Sequence, residues 1–397
     1  MSDFIPLSVP NLKGRELEYV THAVETEWVS TGGPYVNDFE NKIAEYVHAP
    51  AAVSCQNGTS GLHLSMLAVG VKAGDLVIVP TLTFIAAVNP VTYIGAEPVF
   101  LDCDDSLCMD PEKLKVFCEE ECELKDAADL ANGSSSNQKV LIHKASGKTV
   151  KAVVVVHIFG NMADMEKIMP IADKYGLRVI EDATEAIGTY YTDGIYKGKY
   201  AGTIGDIGVY SFNGNKIITT GGGGMVVSED KEYLDHIKHL STQAKSDELY
   251  YEHDEIGFNY RMTNLQAALG LAQLEQLEAF IKVKNDNKAL YKKLLAGFGG
   301  ELLENRDNIR SNCWFYAYMC KDSDERDRLI SHLKEHNIQS RPIWGLISEQ
   351  KPYKGAISYK IEKAKYYRDR VVNIPCSTNL SENEVEKVCE ALKAFKG

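Results

Sequence analysis

Short apolar runs alternate along the first half of the chain with stretches in which apolar residues recur at helical spacing. The runs are Leu76–Val79, Val99–Leu101, Val153–Ile158, Val179–Ile180, Ile207–Phe212 and Met225–Val227. The stretches with helical spacing include 59–70, 83–94 and 164–175. This alternation predicts an α/β domain on a mainly parallel sheet. Ligands of such sheets bind beyond the carboxyl ends of the strands, so the residues that follow these runs are the first candidates for a site.

A second β-rich region covers 139–143 and 149–156, with turn residues at 145–148 between its halves. This pattern predicts a hairpin that leads into a buried strand. The polar stretch Asn132–Asn137 before it predicts a loop. We interpret the hairpin as a structural addition to the sheet.

The pattern changes near residue 260. Thr263 followed by Gln266 is a capping-box signature. Beyond it, the apolar residues that share one face predict a long helix; they are Leu265, Ala268, Leu269, Ala272, Leu277 and Ile281. Strands are predicted around 314–319 and 371–374, and Trp314 and Tyr316 on the first of them are expected to lie in the core rather than to contact a ligand. The expected division is a large domain over 1–260, followed over 261–397 by the long helix and a smaller C-terminal α/β domain, as suits a chain of 397 residues.

Composition narrows the class of protein. Hydrophobic residues make up 44% and charged residues 25%, which is typical of a globular protein with its own core. The formal net charge of −13 argues against nucleic acid or anionic membranes as partners, because both attract excess positive charge. No apolar run is long enough to span a membrane.

Nine cysteines without a C-x-x-C pair predict reduced thiols in a cytoplasmic protein. The N-terminus, Met1–Pro6, lacks the basic and apolar regions of a signal peptide. His332 and His336 lie four residues apart on a predicted helix, but no third ligand accompanies them, so we expect no metal site.

Two carboxylates, Glu181 and Asp182, end a predicted buried strand. A carboxylate in such a place needs a cationic partner or hydrogen-bond donors. Taken alone, the pair is equally consistent with a helix N-cap or a salt bridge.

Lys216 follows another predicted strand and lies among Gly and Asn residues. Desolvation there would lower its pKa and make it a nucleophile toward an aldehyde. The alternative is an exposed loop lysine. The run Gly221–Gly224 matches no phosphate-binding motif and predicts a turn before the next strand.

The segment Gln56–Gly61 runs directly into an amphipathic helix at Leu62. Free N–H groups and hydroxyls at a helix start can bind a phosphate, although an ordinary N-cap would look the same. Combined with the aromatic Phe84 after a strand, Asp182 and Lys216, the segment outlines a pyridoxal phosphate site. The lysine would bind the aldehyde, the aspartate would keep the pyridine nitrogen protonated, and the aromatic ring would stack on the cofactor.

Over nearly its whole length, the chain resembles the DegT/DnrJ/StrS-type family of sugar aminotransferases. The match runs from Val29–Gly33 to the segment around Pro375, and its most specific segments are Glu181–Gly188, Ser211–Lys216 and Gly257–Met262. The resemblance implies the aspartate aminotransferase-like fold (PLP fold type I), pyridoxal 5′-phosphate as cofactor, and a homodimer with shared active sites.

The resemblance also implies residue roles. Lys216 would hold the cofactor and shuttle protons, and Asp182 would pair with the pyridine nitrogen. Glu185 would lie near the cofactor's 3-oxygen, where relatives often have Gln or His, and Phe84 would stack on the ring. Asn213 stands where many relatives carry His.

The phosphate would be bound at Gly58, by the amides of Thr59 and Ser60, and by the Ser211 hydroxyl. Asn259 would reach the phosphate in the neighbouring subunit.

Substrate contacts are expected from Thr31, His253, Arg261 and Arg341. The two arginines suit either a diphosphate or the carboxylate of glutamate, because the guanidinium fork fits both. A surface or structural role remains the alternative for each of the four.

The segments 213–220 and 340–344 resemble the branch that acts on 4-keto-6-deoxy-N-acetylglucosamine nucleotides, and the hairpin is similar to its legionaminic acid members. The reaction implied is transamination of a nucleotide-linked ketosugar with L-glutamate, which gives the 4-amino sugar precursor of bacillosamine or legionaminic acid and 2-oxoglutarate. UDP and GDP both remain open.

Three alternatives remain. The first is an aminotransferase for another ketosugar, either the opposite C4 epimer or a 3-ketosugar. The second is a sugar dehydratase of the same fold, which retention of Lys216 disfavours. The third is a regulatory binding protein, which would carry an added DNA-binding domain.

Overall fold

A central ten-stranded sheet and a separate four-stranded sheet organise the computed structural model, which describes residues 4–126, 139–247 and 249–395. The predicted loop Asn132–Asn137 lies outside these residues. The strands are β1 (Ala52–Cys55), β2 (Leu76–Pro80), β3 (Glu97–Leu101), β4 (Cys122–Asp126), β5 (Lys139–His143), β6 (Thr149–Val156), β7 (Arg178–Asp182), β8 (Tyr190–Tyr191), β9 (Ile207–Ser211), β10 (Gly224–Val227), β11 (Lys245–Asp247), β12 (Glu252–His253), β13 (Glu301–Leu302), β14 (Ile309–Arg310), β15 (Tyr316–Met319), β16 (Arg341–Pro342), β17 (Ile357–Tyr359) and β18 (Val371–Ile374).

The helices pack on both faces of the central sheet and around the smaller one. They are α1 (Glu16–Glu25), α2 (Pro34–Val47), α3 (Gly58–Ala68), α4 (Asn89–Tyr93), α5 (Pro111–Glu120), α6 (Met165–Tyr175), α7 (Lys231–Ser241), α8 (Asn264–Leu274), α9 (Leu277–Leu295), α10 (Ser323–Glu335), α11 (Lys363–Arg368) and α12 (Glu382–Ala394). None of these helices is long and apolar enough to cross a membrane.

The central sheet has the order β1-β10-β9-β7-β6-β2-β3-β17. All pairs from β9 to β17 are parallel, and β10 runs antiparallel to its two neighbours. The prediction of a mainly parallel sheet is therefore confirmed. The hairpin is confirmed too, since β5 pairs antiparallel with β6, and β4 extends it by one further strand.

One helical prediction is wrong in detail. The stretch 83–94 forms a 3₁₀ turn over Ile85–Ala87 and the short helix α4, rather than one helix. Pro90 lies in the first turn of α4, where a backbone N–H would have no partner within the helix, so its absence does not destabilise the helix. Inside a longer helix, Pro90 could not donate the backbone hydrogen bond that its position requires.

The long helix predicted after Thr263 is also divided. The capping box of Thr263 and Gln266 is present, but α8 ends at Leu274 and α9 begins at Leu277. The break coincides with a buried contact, because the amide of Gln276 donates to the carboxylate of Glu16 over 2.6 Å.

The smaller sheet has the order β13-β15-β18-β16, and its pairs are antiparallel. Two segments connect it to the central sheet. Near the N-terminus, Ile5 bridges Ile338, and Leu7 accepts from the backbone of Cys376. In the other direction, β17 from the C-terminal part pairs with β3 of the central sheet. The domain division near residue 260 stays a prediction.

The carboxyl ends of the parallel strands all face one edge of the central sheet. Asp182 ends β7 and Ser211 ends β9, while the turn after β2 leads to Phe84. β1 runs parallel to β9, since both are antiparallel to β10, so Gly58 follows at the same edge. The cysteines are all buried and unpaired.

Candidate active site

A cavity of about 610 Å³ opens at this edge, between the central and the smaller sheet. Nine of the predicted site residues line it: Gly58, Thr59, Phe84, Asp182, Glu185, Ser211, Asn213, Lys216 and Arg341. The topology thus brings together side chains that lie far apart in the sequence.

The start of α3 forms one end of the cavity. Asn57 caps the helix through its side-chain oxygen, which accepts from the amide of Ser60 over 2.8 Å. The Ser60 N–H is therefore engaged within the chain, and Ser60 does not line the cavity. The amides of Gly58 and Thr59, in the open first turn, are the ones left for an anion.

Gly58 keeps this end of the cavity open. A Cβ atom there would lie 3.0 Å from Cβ of Ser211 and 3.0 Å from Cγ2 of Thr184. Both distances are tighter than ordinary van der Waals contact, so a methyl group would occupy the space beside the helix start. The space fits a phosphate that approaches the backbone closely.

Successive strand residues point to opposite faces of a sheet, which separates the two carboxylates that end β7. Glu181 turns away from the cavity and accepts from Nε2 of His157 (2.8 Å) and from backbone amides at 202–205. Burial alone would raise the pKa of Glu181, but these hydrogen bonds outweigh it and hold the pKa below its ordinary value. Glu181 is thus a structural anchor.

Asp182 turns into the cavity and is almost fully buried. It accepts from the amide of Thr184 over 3.1 Å. Burial raises its pKa, against the opposing effects of Thr184 and of the Lys216 charge. A buried carboxylate in this state gains stabilisation from a cationic N–H, which is what a protonated pyridine nitrogen offers.

Glu185 lies one turn further on, with 4% of its surface exposed. Its Oε2 accepts from the amide of Phe159 over 2.7 Å, and its Oε1 lies 3.8 Å from Nζ of Lys216. Burial raises the pKa of Glu185 to about 7, although Lys216 and the Phe159 amide act in the opposite direction. The carboxyl group is therefore able to change protonation near neutral pH.

Lys216 lies in the loop between β9 and β10, and its amide donates to the carbonyl of Asn213 over 3.0 Å. Burial lowers the pKa of Lys216, while Glu185 and Asp182 oppose that effect. The side chain is 13% exposed, and the exposed part faces the cavity. These are the conditions under which a lysine amine reacts with an aldehyde.

Sequence reasoning missed Trp314, which it assigned to the core together with Tyr316. Tyr316 is buried as expected. Trp314 is buried too, but it also lines the cavity, and its ring centroid lies 4.2 Å from Nζ of Lys216. Its Nε1 donates to the carbonyl of Asn215 over 2.8 Å. Only the fold brings this aromatic residue beside the lysine, so no sequence signal identified it.

Asn312 connects Trp314 to the carboxylate loop. Its side-chain oxygen accepts from the amide of Trp314 (3.0 Å), and its Nδ2 donates to the carbonyl of Glu185 (2.9 Å). The face of the indole and the turn that holds Glu185 are therefore fixed to each other.

Two aromatic side chains that line the cavity, Phe84 and Trp344, belong to one cluster of rings. Phe84 is 53% exposed, and its ring centroid lies 6.1 Å from that of Trp344. Trp344 in turn contacts Phe159 at 5.1 Å. This cluster leaves the Phe84 ring free to cover a planar ligand.

Besides Ser60, four predicted residues do not line the cavity of their own chain: Thr31, His253, Asn259 and Arg261. His253 and Asn259 are exposed, and Nδ1 of His253 contacts the carbonyl of Gln243 over 2.8 Å. Thr31 and Arg261 are half-buried, and Nε of Arg261 is buried without a hydrogen-bond partner among the described residues. No cluster of metal-ligating side chains occurs in the parts of the chain that the structure describes.

A family model for the DegT/DnrJ/EryC1/StrS aminotransferase family matches residues 10–393. Among curated proteins, the GDP-perosamine synthase of Escherichia coli O157:H7 is 39% identical over 395 residues, which cover 99% of this chain and 98% of that protein. EpsN of Bacillus subtilis, whose name places it among pyridoxal phosphate-dependent aminotransferases, is 35% identical over 394 residues, with 98% and 95% covered.

Solved structures agree with the fold. A DegT DnrJ EryC1 StrS aminotransferase from Brucella abortus superposes with a TM-score of 0.84 at 26% identity, covering 96% of this chain and 95% of that one. DesI, solved in the presence of its TDP-sugar product, gives 0.82 at 26% identity, covering 99% and 93%. The expected PLP fold type I is confirmed, and so is pyridoxal phosphate as the cofactor.

Proposed function

The chain belongs to the DegT/DnrJ/EryC1/StrS aminotransferase family, and from that premise we propose that it transfers the amino group of L-glutamate to the C4 ketone of a nucleotide-linked 4-keto-6-deoxy-N-acetylhexosamine. The observation that carries the proposal is the arrangement of Lys216, Asp182 and Glu185 at the end of a cavity that begins at the open turn of α3.

The predicted cofactor residues that line the cavity each have a role in this function. The amides of Gly58 and Thr59, with the Ser211 hydroxyl, hold the cofactor phosphate. Asp182 holds a proton on the pyridine nitrogen, and Phe84 covers the ring. When bound, pyridoxal phosphate supplies an electron sink that lets the carbon bearing the amino group lose its proton.

Lys216 moves that proton. Burial disfavours the charged form of the Lys216 amine. When the cofactor is bound to the substrate rather than to Lys216, Nζ is therefore available as a base. Nζ takes the proton from the α-carbon of glutamate in the first half of the reaction and returns one to C4 of the sugar in the second.

Glu185 lies within reach of this exchange. With a pKa near neutrality, its carboxyl group can compensate the change of charge at Nζ 3.8 Å away. The indole rings of Trp314 and Trp344 line the same cavity and pack on Phe159, and this apolar surface limits the access of water to Nζ.

The N-acetylhexosamine is favoured by the segments 213–220 and 340–344. Asn213 and Asn215, from the first, line the cavity, as do Arg341 and Trp344 from the second. These side chains are therefore in a position to contact the sugar. The product would be a 4-amino-4,6-dideoxy sugar nucleotide, a precursor of bacillosamine or legionaminic acid.

A second candidate substrate is a GDP-linked 4-keto-6-deoxyhexose without the acetamido group. It is favoured by the relatives named GDP-perosamine synthase, at 39% identity in Escherichia coli and 34% in Vibrio cholerae. The two candidates differ in nucleotide and in the substituent at C2 of the sugar, while the chemistry at C4 is the same.

A homodimer with shared active sites completes the proposal. Asn259 and Arg261 lie outside the cavity of their own chain, as residues that serve a partner would. An exposed apolar strip lies close to them in sequence; it consists of Leu249, Tyr250, Tyr251 and Ile256, each between 72% and 88% exposed. Apolar surface of this kind is typical of an interface.

The test follows the cofactor's visible absorption. We expect the loaded enzyme to lose its yellow band on addition of L-glutamate, with one 2-oxoglutarate formed per site, and to regain it with the accepted ketosugar. UDP-4-keto-6-deoxy-N-acetylglucosamine and a GDP-linked 4-keto-6-deoxyhexose are compared as acceptors. A loaded enzyme that glutamate leaves unchanged refutes the donor, and recovery only with the GDP sugar refutes the first acceptor.

A further inference from the structure

Three segments that are distant in the sequence form one wall of the cavity. Leu7 and Ser8 belong to the N-terminal segment, Trp314 and Phe315 precede β15, and Asn373 lies in β18. Among the described strand pairs of the smaller sheet, none includes Leu7 or Trp314. Other contacts must therefore hold these two residues in place.

A buried amine behind this wall connects the three segments. Nζ of Lys284, a residue of α9 that is 2% exposed, donates to the carbonyl of Trp314 over 2.9 Å and to the carbonyl of Cys376 over 2.6 Å. Cys376 follows β18, and its amide donates to the carbonyl of Leu7 over 2.8 Å. Lys284 thus contacts two of the segments directly and the third through Cys376.

Burial of Lys284 is unfavourable in itself. It lowers the pKa of the amine, and the groups that oppose this effect are the thiols of Cys376 and Cys313 rather than a carboxylate. Burying a charged group without an opposite charge is destabilising, and an apolar side chain of similar volume is often at least as stable. The contribution of Lys284 therefore lies in the backbone that its N–H groups hold.

The backbone at Trp314 depends on such contacts. Cys313, the residue before it, has a φ of 50°, a left-handed conformation that a residue other than glycine keeps only when its surroundings hold it there. The amide of Trp314 donates to Asn312, and its indole Nε1 donates to Asn215. The hydrogen bond from Lys284 fixes the remaining backbone group, the carbonyl.

The indole held in this way lies against the reactive amine. Its ring centroid is 4.2 Å from Nζ of Lys216, so the face of the ring stabilises the charged form of that amine. Lys284 does not line the cavity. A displacement of Trp314 would nevertheless change the surroundings of Nζ of Lys216.

We propose that Lys284 is a positioning residue that fixes the carbonyl of Trp314 and thereby holds the indole against Nζ of Lys216. The inference rests on the proposed function, in which Nζ of Lys216 binds the cofactor and moves the proton. It adds to that function a residue of α9 that lies outside the cavity.

The test compares variants that differ in their donors. Lys284→Met keeps the length of the side chain without its donors, whereas Lys284→Gln is shorter but retains two N–H donors. Lys288→Met makes the same change one turn further along α9, at a buried lysine whose amine donates to neither carbonyl. Trp314→Leu and the double variant Lys284→Met/Trp314→Leu complete the set, and circular dichroism shows whether each variant is folded.

The pKa of the Lys216 amine is measured in the cofactor-free, full-length chain. A trace of acetic anhydride acetylates uncharged amines, and mass spectrometry of the peptide that carries Lys216 gives the labelling rate from pH 6 to pH 11. Glu185 and Asp182, which also act on this pKa, are unchanged in every variant. Because the indole favours the charged amine, Lys284→Met should lower the pKa and raise the labelling rate at pH 6, relative to the rate at high pH, about threefold to tenfold.

The other variants have graded expectations. Lys284→Gln should raise this ratio less than Lys284→Met does, and Lys288→Met should leave it unchanged. The double variant should match Trp314→Leu, because two residues that act through one contact give non-additive effects. In rapid mixing of the cofactor-loaded enzyme with L-glutamate, Lys284→Met should lower the rate of band loss at saturation about tenfold and leave the half-saturating concentration unchanged.

The positioning role is wrong if the ratio is unchanged or lower in folded Lys284→Met, or if Lys288→Met raises it equally. Additive effects in the double variant would also contradict it, because Lys284 would then act on Lys216 without Trp314. If Lys284→Met does not fold, an unchanged or lower ratio in Lys284→Gln refutes the role. Failure of the proposed function is distinct, because the loaded wild type would then not respond to L-glutamate, while the labelling ratio would still report the contact between Trp314 and Lys216.

Discussion

The buried carboxyl of Glu185 makes a quantitative prediction about stability. Its pKa rises from an ordinary 4.5 to about 7 in the folded chain, chiefly through burial. The unfolded chain therefore releases this proton at a lower pH than the folded chain does. The stability that comes from the neutral carboxyl is fully present below pH 4.5 and is lost as the pH rises through about 7.

The size of the effect follows from that difference in pKa. A separation of about 2.5 units corresponds to about 3 kcal/mol over the whole titration. Most of this free energy of unfolding is lost below pH 6. About 1.4 kcal/mol is left to be lost between pH 6 and pH 9. Above about pH 8 the curve should be flat, because both states are then ionised.

Glu185→Gln removes this titration and keeps the shape of the side chain. The free energy of unfolding in urea is measured for the cofactor-free wild type and variant from pH 6 to pH 9, at one protein concentration. Titrating groups that do not interact with Glu185 are shared, so they cancel, and the difference reports Glu185 together with its coupled neighbours Lys216 and Asp182. The wild type should lose about 1.4 kcal/mol relative to the variant.

Glu335→Gln, which changes an exposed carboxylate without an ion pair among the described residues, should give a flat difference. If the Glu185→Gln difference is flat as well, the carboxyl is ionised throughout this range and the account of its burial is wrong.

Other changes in the site have expected outcomes of their own. Lys216→Arg should abolish both turnover and the fixation of cofactor to the chain by borohydride, since the guanidinium cannot replace the amine; residual turnover above background would refute its role as base. Gly58→Ala should raise the Kd for pyridoxal phosphate, measured by fluorescence titration, at least about tenfold, whereas Gly222→Ala, whose Cβ would meet its nearest neighbour at 3.8 Å, should not. Trp314→Phe keeps an aromatic face but loses the hydrogen bond to Asn215, so kcat should fall about fivefold. Trp314→Leu loses both and should lower kcat about a hundredfold; equal effects of the two would contradict a role for the ring face.

The sequence predicted most reliably what depends on strand ends. Asp182 and Lys216 follow apolar runs, and parallel strands bring such positions to one edge whatever the details of the helices. The predictions failed where tertiary contacts override local pattern. The apolar face after Thr263 continues in phase through residue 281, yet the helix is interrupted between Leu274 and Leu277, where Gln276 contacts Glu16.

Trp314 and Asn373 show a different limit. Both lie in segments of the C-terminal part that the sequence predicts as strands, 314–319 and 371–374. Their place in the cavity depends on how the smaller sheet lies against the central one, and local pattern carries no information about that arrangement. For the same reason the sequence could not show that the N-terminal residues beside Ser8 would form part of the wall.

The exchange of segments between the two sheets has a consequence for cooperativity. Residues near the N-terminus bond the backbone at Ile338 and Cys376, beside the smaller sheet, and β17 from the C-terminal part forms an edge strand of the central sheet. Neither half of the chain therefore contains all the backbone partners of its own sheet and of the segments beside it. A fragment cut near residue 260 would leave β3 without its edge partner and the C-terminal part without its N-terminal contacts, and melting of the intact chain should report the two sheets in one transition. In such a protein the cavity between the two sheets forms on folding, and is lost on unfolding, in a single step.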